Sequence, residues 1–566
     1  MKDFRMKDFF KELIKELEGK ELTKRQIAKV KHRLCKKFKL SRIPSDIQVL
    51  LHAPKSKLKK LRHLVTKPVR TMSGVSPIAL MTAPFPCPHG KCVYCPGGVS
   101  SDFGDVPQSY TGMEPSAMRG ARNNYDPYLI TFNRLEQYVA AGHLPEKCEV
   151  IIQGGTFPFF QKKYKDDFIY FMYKALNDFS DLFFPEGEID IDAYRKFFEM
   201  PGEIGEPSRV RRIHKKLLSM KEKNIKTLEQ EKKRNESSRI RCVALCIETR
   251  PDYCYEKEID EMLRYGVTRV EIGVQSLDND ILKAVKRGHG VEEVFKATKL
   301  ARNALLKVGY HMMPGLPGSS AKKDIEMFRI LFDDPRLRPD ALKIYPTMVL
   351  KGTELYRMWQ EGKYKPLSSE EAAEIISEAK KYIPKWCRVM RVQRDIPKQA
   401  ISAGVDMTNL RQLVEKKLKE KGRKCKCIRC REPRNKRVNF ESVKLNRIDY
   451  DASGGKEIFL SFDDMENDLI LGFCRLRIPK QSFRKEICKD CAGIRELHVY
   501  GAAAELGKEG KIQHKGMGKK LLAEAERIAK EEFNCKEMVI ISGVGVKEYY
   551  YKLGYKPKGP YVSKRL

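Results

Sequence analysis

The sequence predicts an α/β protein of several domains: a partial parallel (β/α) barrel, a smaller α/β domain after it, and a basic helical arm before it. Three observations support this prediction. Short apolar runs alternate with helical stretches through most of the chain, a glycine loop opens a helix near the C terminus, and lysine and arginine dominate the first 70 residues. Its 566 residues exceed one typical domain. We place the arm at 1–75, the barrel at 76–390, a linker at 391–440 and the last domain at 441–566.

The arm is predicted to be helical and to bind a polyanion. Phe9–Leu17 and Ile27–Phe38 carry apolar residues at helical spacing, with Lys29, Lys31, Lys36 and Lys37 around the second run. Residues 1–70 hold 22 lysines and arginines against seven acidic residues, in a chain whose net charge is +36. Such an excess favours a polyanionic partner and phosphate contacts. A solvated helical extension is the alternative.

Three cysteines at the start of the barrel predict an iron–sulfur centre. Cys87, Cys92 and Cys95 follow a strand end at Ala79–Ala83. Three thiolates can hold three irons of a [4Fe–4S] cluster and leave the fourth open to the amino and carboxylate groups of S-adenosylmethionine. A zinc site completed by His89 or a remote ligand is the alternative. The spacing resembles the radical-SAM signature.

Later apolar runs end in polar groups, as the strands of a radical-SAM barrel do. The first runs from Val150 into Gly154, Gly155 and Thr156, where absent side chains allow close approach to a ligand. This resembles the motif that receives the methionine amino group. Glu248, Gln275 and His311 end later strands and are candidates for the barrel lumen, the first two as cofactor-binding residues. The charged segment Arg209–Arg241 is expected to be a surface helix or a mobile insertion.

The last domain contains a predicted coenzyme A loop. Strand-like runs at Leu469–Arg477 and Gly493–Tyr500 precede Gln513-His-Lys-Gly516-Met517-Gly518-Lys519, which opens a helix. Free backbone N–H groups and glycines at a helix start suit a pyrophosphate. The loop and the tail Tyr549–Tyr555 resemble the GNAT acetyltransferases, in which a tyrosine reaches the thioester sulfur.

Several sequence motifs between about residue 80 and the C terminus resemble those of one family. Gln108–Pro115, Glu248–Cys254, Glu271–Ser276, Arg391–Pro397 and Arg495–Gly501 are similar to the catalytic subunit of Elongator and its archaeal relatives. The resemblance implies synthesis of 5-carboxymethyluridine at the wobble position of tRNA, with S-adenosylmethionine and acetyl-CoA. It also implies that tRNA, through its anticodon stem-loop, is the partner of the basic arm, and that other Elongator-type subunits are possible partners.

By position, the resemblance assigns acetyl-CoA contacts and catalytic groups in both halves of the chain. Tyr550, Glu496 and His498 are the predicted catalytic residues. The predicted acetyl-CoA contacts are Lys147, Glu496, Leu497, His498, Val499, Gln513, Gly516, Met517, Gly518, Lys519 and Tyr550. Because Lys147 belongs to the barrel, its contact would place both active sites in one cleft.

The remaining cysteines predict a structural zinc site. Neither a bilayer-spanning run nor a signal-peptide core is present, so we expect a cytoplasmic protein whose 16 cysteines are metal ligands or free thiols. Cys425, Cys427 and Cys430 form a Cys-x-Cys-x2-Cys group that needs one more ligand. Cys488 or Cys491 is predicted to supply it across the domain boundary.

Two other functions remain open at this stage. A protein lysine acetyltransferase with a structural cluster would need a general base, which Glu496 or His498 could provide. A non-enzymatic RNA-binding scaffold would have decayed sites, and the intact cysteine triad and coenzyme A loop argue against it.

Overall fold

The computed structural model describes residues 2–20, 22–65, 74–202, 205–434, 436–500 and 516–566. The arm forms helices with its own small core, as predicted. Thr23 and Ser45 accept the backbone N–H groups of Gln26 and Gln48 in capping boxes, which fix two helix starts. Buried Phe9 and Leu34 pack in the core between the helices. The helices are α1 (Lys2–Leu17), α2 (Lys24–Lys37), α3 (Asp46–His52) and α4 (Lys55–Leu58).

One lysine of the predicted basic face belongs instead to the interior of the arm. Lys31 is buried, and its ammonium donates to Asp46 Oδ1 at 2.6 Å and to the carbonyl of Pro44 at 2.8 Å. Lys36 and Lys37 are exposed. The helical period alone could not separate these positions, because a lysine stem is long enough to pack inward and still find a carboxylate.

The barrel is a seven-stranded, all-parallel open sheet, which confirms the predicted fold class. Its strands run in the order β1-β4-β5-β6-β7-β8-β10, and two small ribbons pair β2 with β3 and β9 with β11. All carboxyl ends therefore lie at one edge. The strands are β1 (Ser76–Met81), β2 (Gly98–Ser101), β3 (Gly104–Val106), β4 (Lys147–Gln153), β5 (Arg241–Thr249), β6 (Arg269–Gln275), β7 (Lys307–Met312), β8 (Ala341–Ile344), β9 (Met348–Leu350), β10 (Arg388–Val392) and β11 (Ile401–Gly404).

Fourteen helices accompany the barrel and the linker in the described chain. They are α5 (Pro115–Arg122), α6 (Pro127–Ala140), α7 (Lys162–Phe183), α8 (Ile191–Phe197), α9 (Pro207–Lys221), α10 (Leu228–Ser237), α11 (Glu256–Tyr265), α12 (Asn279–Ala284), α13 (Val291–Asn303), α14 (Ala321–Asp333), α15 (Glu354–Gln360), α16 (Ser369–Ala379), α17 (Leu410–Glu420) and α18 (Ile428–Arg431). None of the helices in the described chain is long and apolar enough to cross a membrane.

The charged segment expected at the surface is helical, but one side of it is buried. Helix α10 packs on α7 through a polar contact in which Asn177 Nδ2 donates to Glu231 Oε2 at 2.7 Å. Asn235 donates to Asn177 Oδ1 at 2.8 Å, and Glu231 and Asn235 are fully buried. Paired polar groups allow a charged sequence to enter a core, which composition alone does not reveal.

The last domain is a second seven-stranded sheet, in the order β12-β13-β14-β15-β16-β18-β17. Only the β15–β16 pairing is parallel. Its elements are β12 (Val443–Ala452), β13 (Gly455–Asp464), β14 (Leu469–Pro479), β15 (Cys491–Val499), α19 (Met517–Arg527), β16 (Glu537–Ile540), α20 (Lys547–Tyr551), β17 (Lys556–Lys558) and β18 (Tyr561–Arg565).

This domain packs against the amino edge of the barrel sheet. The first residues of β7 and β10 meet it directly: Lys307 pairs with Glu496 at 3.3 Å, and Arg388 donates to Tyr500 Oη at 2.8 Å. Apolar side chains from both sheets, including Val308 and Phe473, share one continuous core. The two halves of the molecule are therefore joined at the end of the barrel opposite to the cysteine loop.

Candidate active site

The three predicted cluster cysteines converge beside the carboxyl edge of the barrel sheet. Cys92 and Cys95 are buried and Cys87 is half-buried, in the loop that follows β1. Gln108 Nε2 donates to Cys95 Sγ at 3.1 Å, and the thiol of Cys87 lies 3.8 Å from Thr156 Oγ1. Burial raises the pKa of Cys87 to about 11, and the nearby Cys95 and Cys92 thiolates add to the effect. A bound metal would reverse this, because metal ligation deprotonates a thiol.

The arrangement of the thiols fits a cluster better than a single zinc ion. Tetrahedral zinc holds its sulfurs about 3.8 Å apart. Elsewhere in the described chain, groups of three possible metal-ligand atoms lie within 4.8 Å of one another. Cys87, Cys92, Cys95 and His89 form no such group of three. His89 Nε2 does contact Cys92 Sγ at 3.1 Å. The thiols are therefore spread more widely than one ion needs, as the corners of a cubane would be.

Buried polar groups beside the thiols are left without partners. The hydroxyl of Tyr94 and Oε1 of Gln275 are buried and make no hydrogen bond to the described residues. Gly154 has a φ of +109°, and a Cβ there would lie 2.4 Å from Thr82 Oγ1. Orphaned polar atoms and a backbone without side chains are the surroundings that a polar cofactor requires. The predicted residues Gly155 and Thr156 continue this segment, and Glu248 and Gln275 end the adjacent strands β5 and β6.

Arg287 is a site residue that the sequence analysis missed. Its buried guanidinium donates to the carbonyl of Gly273 at 2.7 Å and contacts Cys92 Sγ at 3.7 Å. A Cβ on Gly273 would lie 2.6 Å from Arg287 Nη2, so only glycine leaves room for this side chain. Arg287 forms no ion pair with a carboxylate of the described residues. A buried cation without a carboxylate partner can receive the carboxylate of a ligand. No sequence signal distinguishes it from other arginines.

Paired charges fill the barrel lumen behind the cluster. Lys343 Nζ donates to Glu248 Oε1 at 2.7 Å and also pairs with Glu271, whose second contact is His311 Nε2 at 2.9 Å. Burial alone would raise the pKa of Glu248, but the Lys343 ammonium lowers it. The predicted lumen residues Glu248 and His311 thus belong to one network. The sequence analysis missed Glu271, which lies in the interior of β6, and Lys343, which is the next-to-last residue of β8.

The predicted thioester residues lie on β15, at the amino edge of the barrel. Glu496 accepts from Arg475 Nε at 2.9 Å. Burial opposes its ionisation, yet Lys307 and Arg475 lower the pKa of Glu496 to about 2. Burial lowers the pKa of His498 to about 4, and its Nε2 has no hydrogen-bond partner in the described chain. Leu497 and Val499 lie between and beyond them on the same strand. His498 is therefore neutral at pH 7 and can accept a proton, whereas Glu496 is an anion held by two cations.

The predicted coenzyme A loop is described only from its first glycine, Gly516, onward. Gly516, with a φ of +69°, caps α19, and Met517, Gly518 and Lys519 form the first turn of that helix. Gln513 lies outside the described residues. The free N–H groups of this turn can bind an anion.

Two of the three tyrosines of the closing helix α20, Tyr549 and Tyr550, have different surroundings. Tyr550 is 5% exposed and packs in the second core, and burial raises its pKa. The hydroxyl of Tyr549 lies next to Gly518, 3.2 Å from where a Cβ on that glycine would be. The structure therefore offers Tyr549, beside the predicted Tyr550, as a group near the coenzyme A loop.

Lys147 lies at the amino edge of the barrel, as a contact with the last domain would require. It begins β4 and pairs in register with Arg241, against which Gly545 packs closely. Burial and then the Arg241 charge lower the pKa of Lys147. A cavity between the sheets is lined there by Arg269, Lys307, Phe473 and Glu496, among others. The six residues of β7 separate this edge from the cluster edge by roughly 20 Å.

The structure brings together the three linker cysteines of the zinc prediction. The sulfurs of Cys425, Cys427 and Cys430 lie within 4.8 Å of one another, the donor set that zinc prefers, and Lys380 Nζ is 3.9 Å from Cys430 Sγ. Thiol donation from Cys425 and Cys430 lowers the pKa of Cys427.

The predicted fourth ligand is wrong. Cys488 and Cys491 form a disulfide and group with Glu537, not with the linker cysteines. Their Cα atoms are 5.2 Å apart across a tight Cys-x-x-Cys turn, within the range of a disulfide. The expectation that the chain carries no disulfide is therefore also wrong.

Comparison with known proteins identifies three matching families along the chain. Residues 6–72 match the ELP3 N-terminal domain, residues 85–331 the Radical SAM superfamily, and residues 339–420 the Radical_SAM C-terminal domain. The chain is 47% identical to a protein of Methanocaldococcus infernus named tRNA uridine(34) acetyltransferase, with all of both chains covered. It is 39% identical to the human Elongator complex protein 3, over 99% of this chain and 96% of that one.

A solved structure shares this fold. The archaeal Elp3 of Methanocaldococcus infernus with an N-terminal deletion superposes with a TM-score of 0.71 at 43% identity. The match covers 88% of this chain and 100% of that one.

Proposed function

Because the chain belongs to the Elongator complex protein 3 family of radical-SAM enzymes, we propose that it places a carboxymethyl group on carbon 5 of the wobble uridine of tRNA. Modification of uridine 34 of tRNA is the activity that two of its relatives carry in their names. The observation that supports the finer chemistry is the pairing of two sites on one barrel. Three cysteines with unpartnered polar groups beside them lie at one edge, and Glu496 and His498, the residues predicted to contact acetyl-CoA, lie at the other.

At the carboxyl edge, this chain's own residues would hold and orient the cofactors. Cys87, Cys92 and Cys95 would ligate a [4Fe–4S] cluster, and Arg287 would bind the carboxylate of S-adenosylmethionine by charge. Gly154 would let the backbone approach the amino group. When bound, the cluster and S-adenosylmethionine supply a 5′-deoxyadenosyl radical for hydrogen abstraction from the acetyl methyl group.

At the amino edge, β15 and α19 would hold acetyl-CoA. The first turn of α19 would bind the pyrophosphate through its N–H groups. Neutral His498 would accept a proton during thioester hydrolysis, and a tyrosine of α20 would orient the sulfur. Because roughly 20 Å separates the edges, the acetyl group would have to pass the ion pairs of Lys343. We propose that tRNA binding triggers this passage.

The basic arm would contribute phosphate contacts to the anticodon stem-loop. Lys36 and Lys37 are exposed on α2, and contacts of this kind give salt-sensitive affinity with little sequence choice. We further propose that the three linker cysteines hold structural zinc and that the protein works in the cytoplasm, alone or with Elongator-type subunits.

The deciding experiment follows the methyl carbon of labelled acetyl-CoA. Reduced, cluster-loaded protein is incubated with S-adenosylmethionine, tRNA and acetyl-CoA carrying ¹³C in the methyl group, and nucleosides and protein are analysed separately by mass spectrometry. We expect the label on carbon 5 of uridine. Label on protein amines, with none on tRNA, would instead establish a lysine acetyltransferase, for which neutral His498 offers the general base.

A further inference from the structure

An exposed phenyl ring stands at the mouth of the barrel. Phe159 is 44% exposed. It ends the 3₁₀ turn Phe157–Phe159, which directly follows the glycine segment at the end of β4. The backbone N–H of Phe159 donates to the carbonyl of Thr156, whose hydroxyl contacts the cluster cysteine Cys87. The ring is therefore close along the chain to the group that faces the cluster.

The turn that presents this ring is held rigidly from behind. Phe157 and Phe160, on either side, are buried in an aromatic group that includes Phe168. Lys165 Nζ donates to the carbonyl of Pro158 at 2.9 Å and forms a buried ion pair with Glu261. Since its neighbours are fixed, the exposure of Phe159 is a property of the fold and not of a loose loop.

A second aromatic ring completes the surface. The ring centroid of Tyr253 lies 5.6 Å from that of Phe159, in an edge-to-face arrangement at 81°. Tyr253 belongs to the 3₁₀ turn after β5, the next strand of the sheet. Because β4 and β5 are adjacent and parallel, the turns that follow them bring Phe159 and Tyr253 to the same carboxyl edge of the sheet.

We propose that Phe159 and Tyr253 form a stacking platform for an unpaired nucleobase of the RNA substrate, next to the radical-generating edge. This rests on the proposed function. Proteins that read single-stranded RNA splay out its bases and stack them on aromatic side chains. The phenyl ring of Phe159 has no hydrogen-bonding group, so the platform would position a base without selecting its identity. The basic arm cannot do this, because phosphate contacts fix only the backbone.

The test compares binding of a fluorescent anticodon stem-loop by full-length wild type and Phe159→Ala over a range of salt concentrations. We expect the variant to bind about 5- to 150-fold more weakly, with an unchanged slope of affinity against salt, because a ring contact releases no counterions. Phe159→Trp should restore affinity. Phe440→Ala removes another exposed phenyl ring, 37% exposed and at the end of the linker, and should bind like wild type. S-adenosylmethionine cleavage without RNA should be equal in all four proteins.

Three outcomes would overturn the platform. Wild-type affinity in Phe159→Ala, from a preparation whose wild type modifies tRNA, would remove the platform and leave the proposed function intact. Equal loss in Phe159→Ala and Phe159→Trp would show that the turn, and not stacking, matters. A wild type that neither binds nor modifies RNA would overturn the proposed function and the platform with it.

Discussion

Replacing Asp340 by Asn should weaken the junction between the two domains more than the same substitution at a surface aspartate. Asp340 precedes β8 and is 3% exposed at the junction of the sheets. Arg495 of the last domain donates to both of its carboxylate oxygens, at 2.7 and 2.6 Å, and Arg475 approaches to 3.5 Å. The backbone N–H of Val308 donates to it at 2.9 Å. The amide keeps the shape but removes the charge that two buried guanidinium groups face.

The expected loss is about 3–5 kcal/mol, the cost of removing one partner from a buried ion-pair network, in which Arg495 keeps Glu457 and Arg475 keeps Glu496. Burial alone would raise the pKa of Asp340, but Arg495 and the neighbouring arginines hold it well below the usual range. A lowered folded pKa stabilises the protein above the unfolded pKa of about 4 and loses that effect as the pH falls. The difference between wild type and variant should therefore be constant near pH 7 and shrink in acid.

Tryptophan fluorescence can report on the domain junction directly. The chain has two tryptophans, Trp359 and Trp386. Trp386 stacks on Tyr450 of the last domain with centroids 4.2 Å apart, and its carbonyl accepts from Arg475. In a Trp359→Phe background, urea titration of the remaining fluorescence reports loss of this contact. With a slope near 2 kcal/mol per molar, the midpoint should fall by roughly 1.5–2.5 M.

Asp333→Asn is the matched control. Asp333 pairs with Arg329 at 2.6 Å, but both side chains are exposed, and such pairs contribute below about 1 kcal/mol. If Asp340→Asn moved the midpoint no further than this control, the reasoning that buried charges join the domains would be wrong.

Four other predictions concern the two sites and the linker cysteines. Cys92→Ala should lose the visible absorbance of the reconstituted cluster and uridine modification, yet keep tRNA-stimulated acetyl-CoA hydrolysis, measured as free thiol; retained modification would refute the radical route. Tyr550→Phe should lower hydrolysis and modification together and spare S-adenosylmethionine cleavage, while Tyr549→Phe tests which hydroxyl acts. Hydrolysis should be level from pH 8 to 5 and fall as the pH approaches 4, where His498 gains a proton and no longer accepts one. Cys425→Ser should lower the zinc content measured by mass spectrometry, and Cys488→Ser should not, because the disulfide pair lies outside that group.

Local sequence patterns were sufficient to predict the fold class and to identify polar residues at the ends of strands. Apolar runs with polar ends predict parallel strands, and parallel strands bring their carboxyl ends to one edge. For this reason the cysteine loop, Gly154, Glu248 and Gln275 could be grouped from the order of the strands along the chain. The spacing of three cysteines also carries its own chemistry, because all the ligands come from nine residues of chain.

Contacts between distant segments could not be predicted in this way. Lys31, Arg287 and Lys343 look like any other basic residue in a strongly basic chain, and only folding reveals which of them are buried and what they meet. Likewise, Cys488 was assigned to the wrong partners, because equal spacing fits both a metal group and a disulfide.

The sequence by itself determined the fold class and the family and predicted the chemistry of the two sites, because each rests on short runs of residues that are neighbours along the chain. The tertiary structure alone decided where those sites lie relative to each other. Strand β15 meets the amino edge of the barrel, and the cysteines lie at the carboxyl edge. This arrangement depends on buried charges such as Arg495 and Asp340, which are 155 residues apart and contact each other only when both sheets have formed.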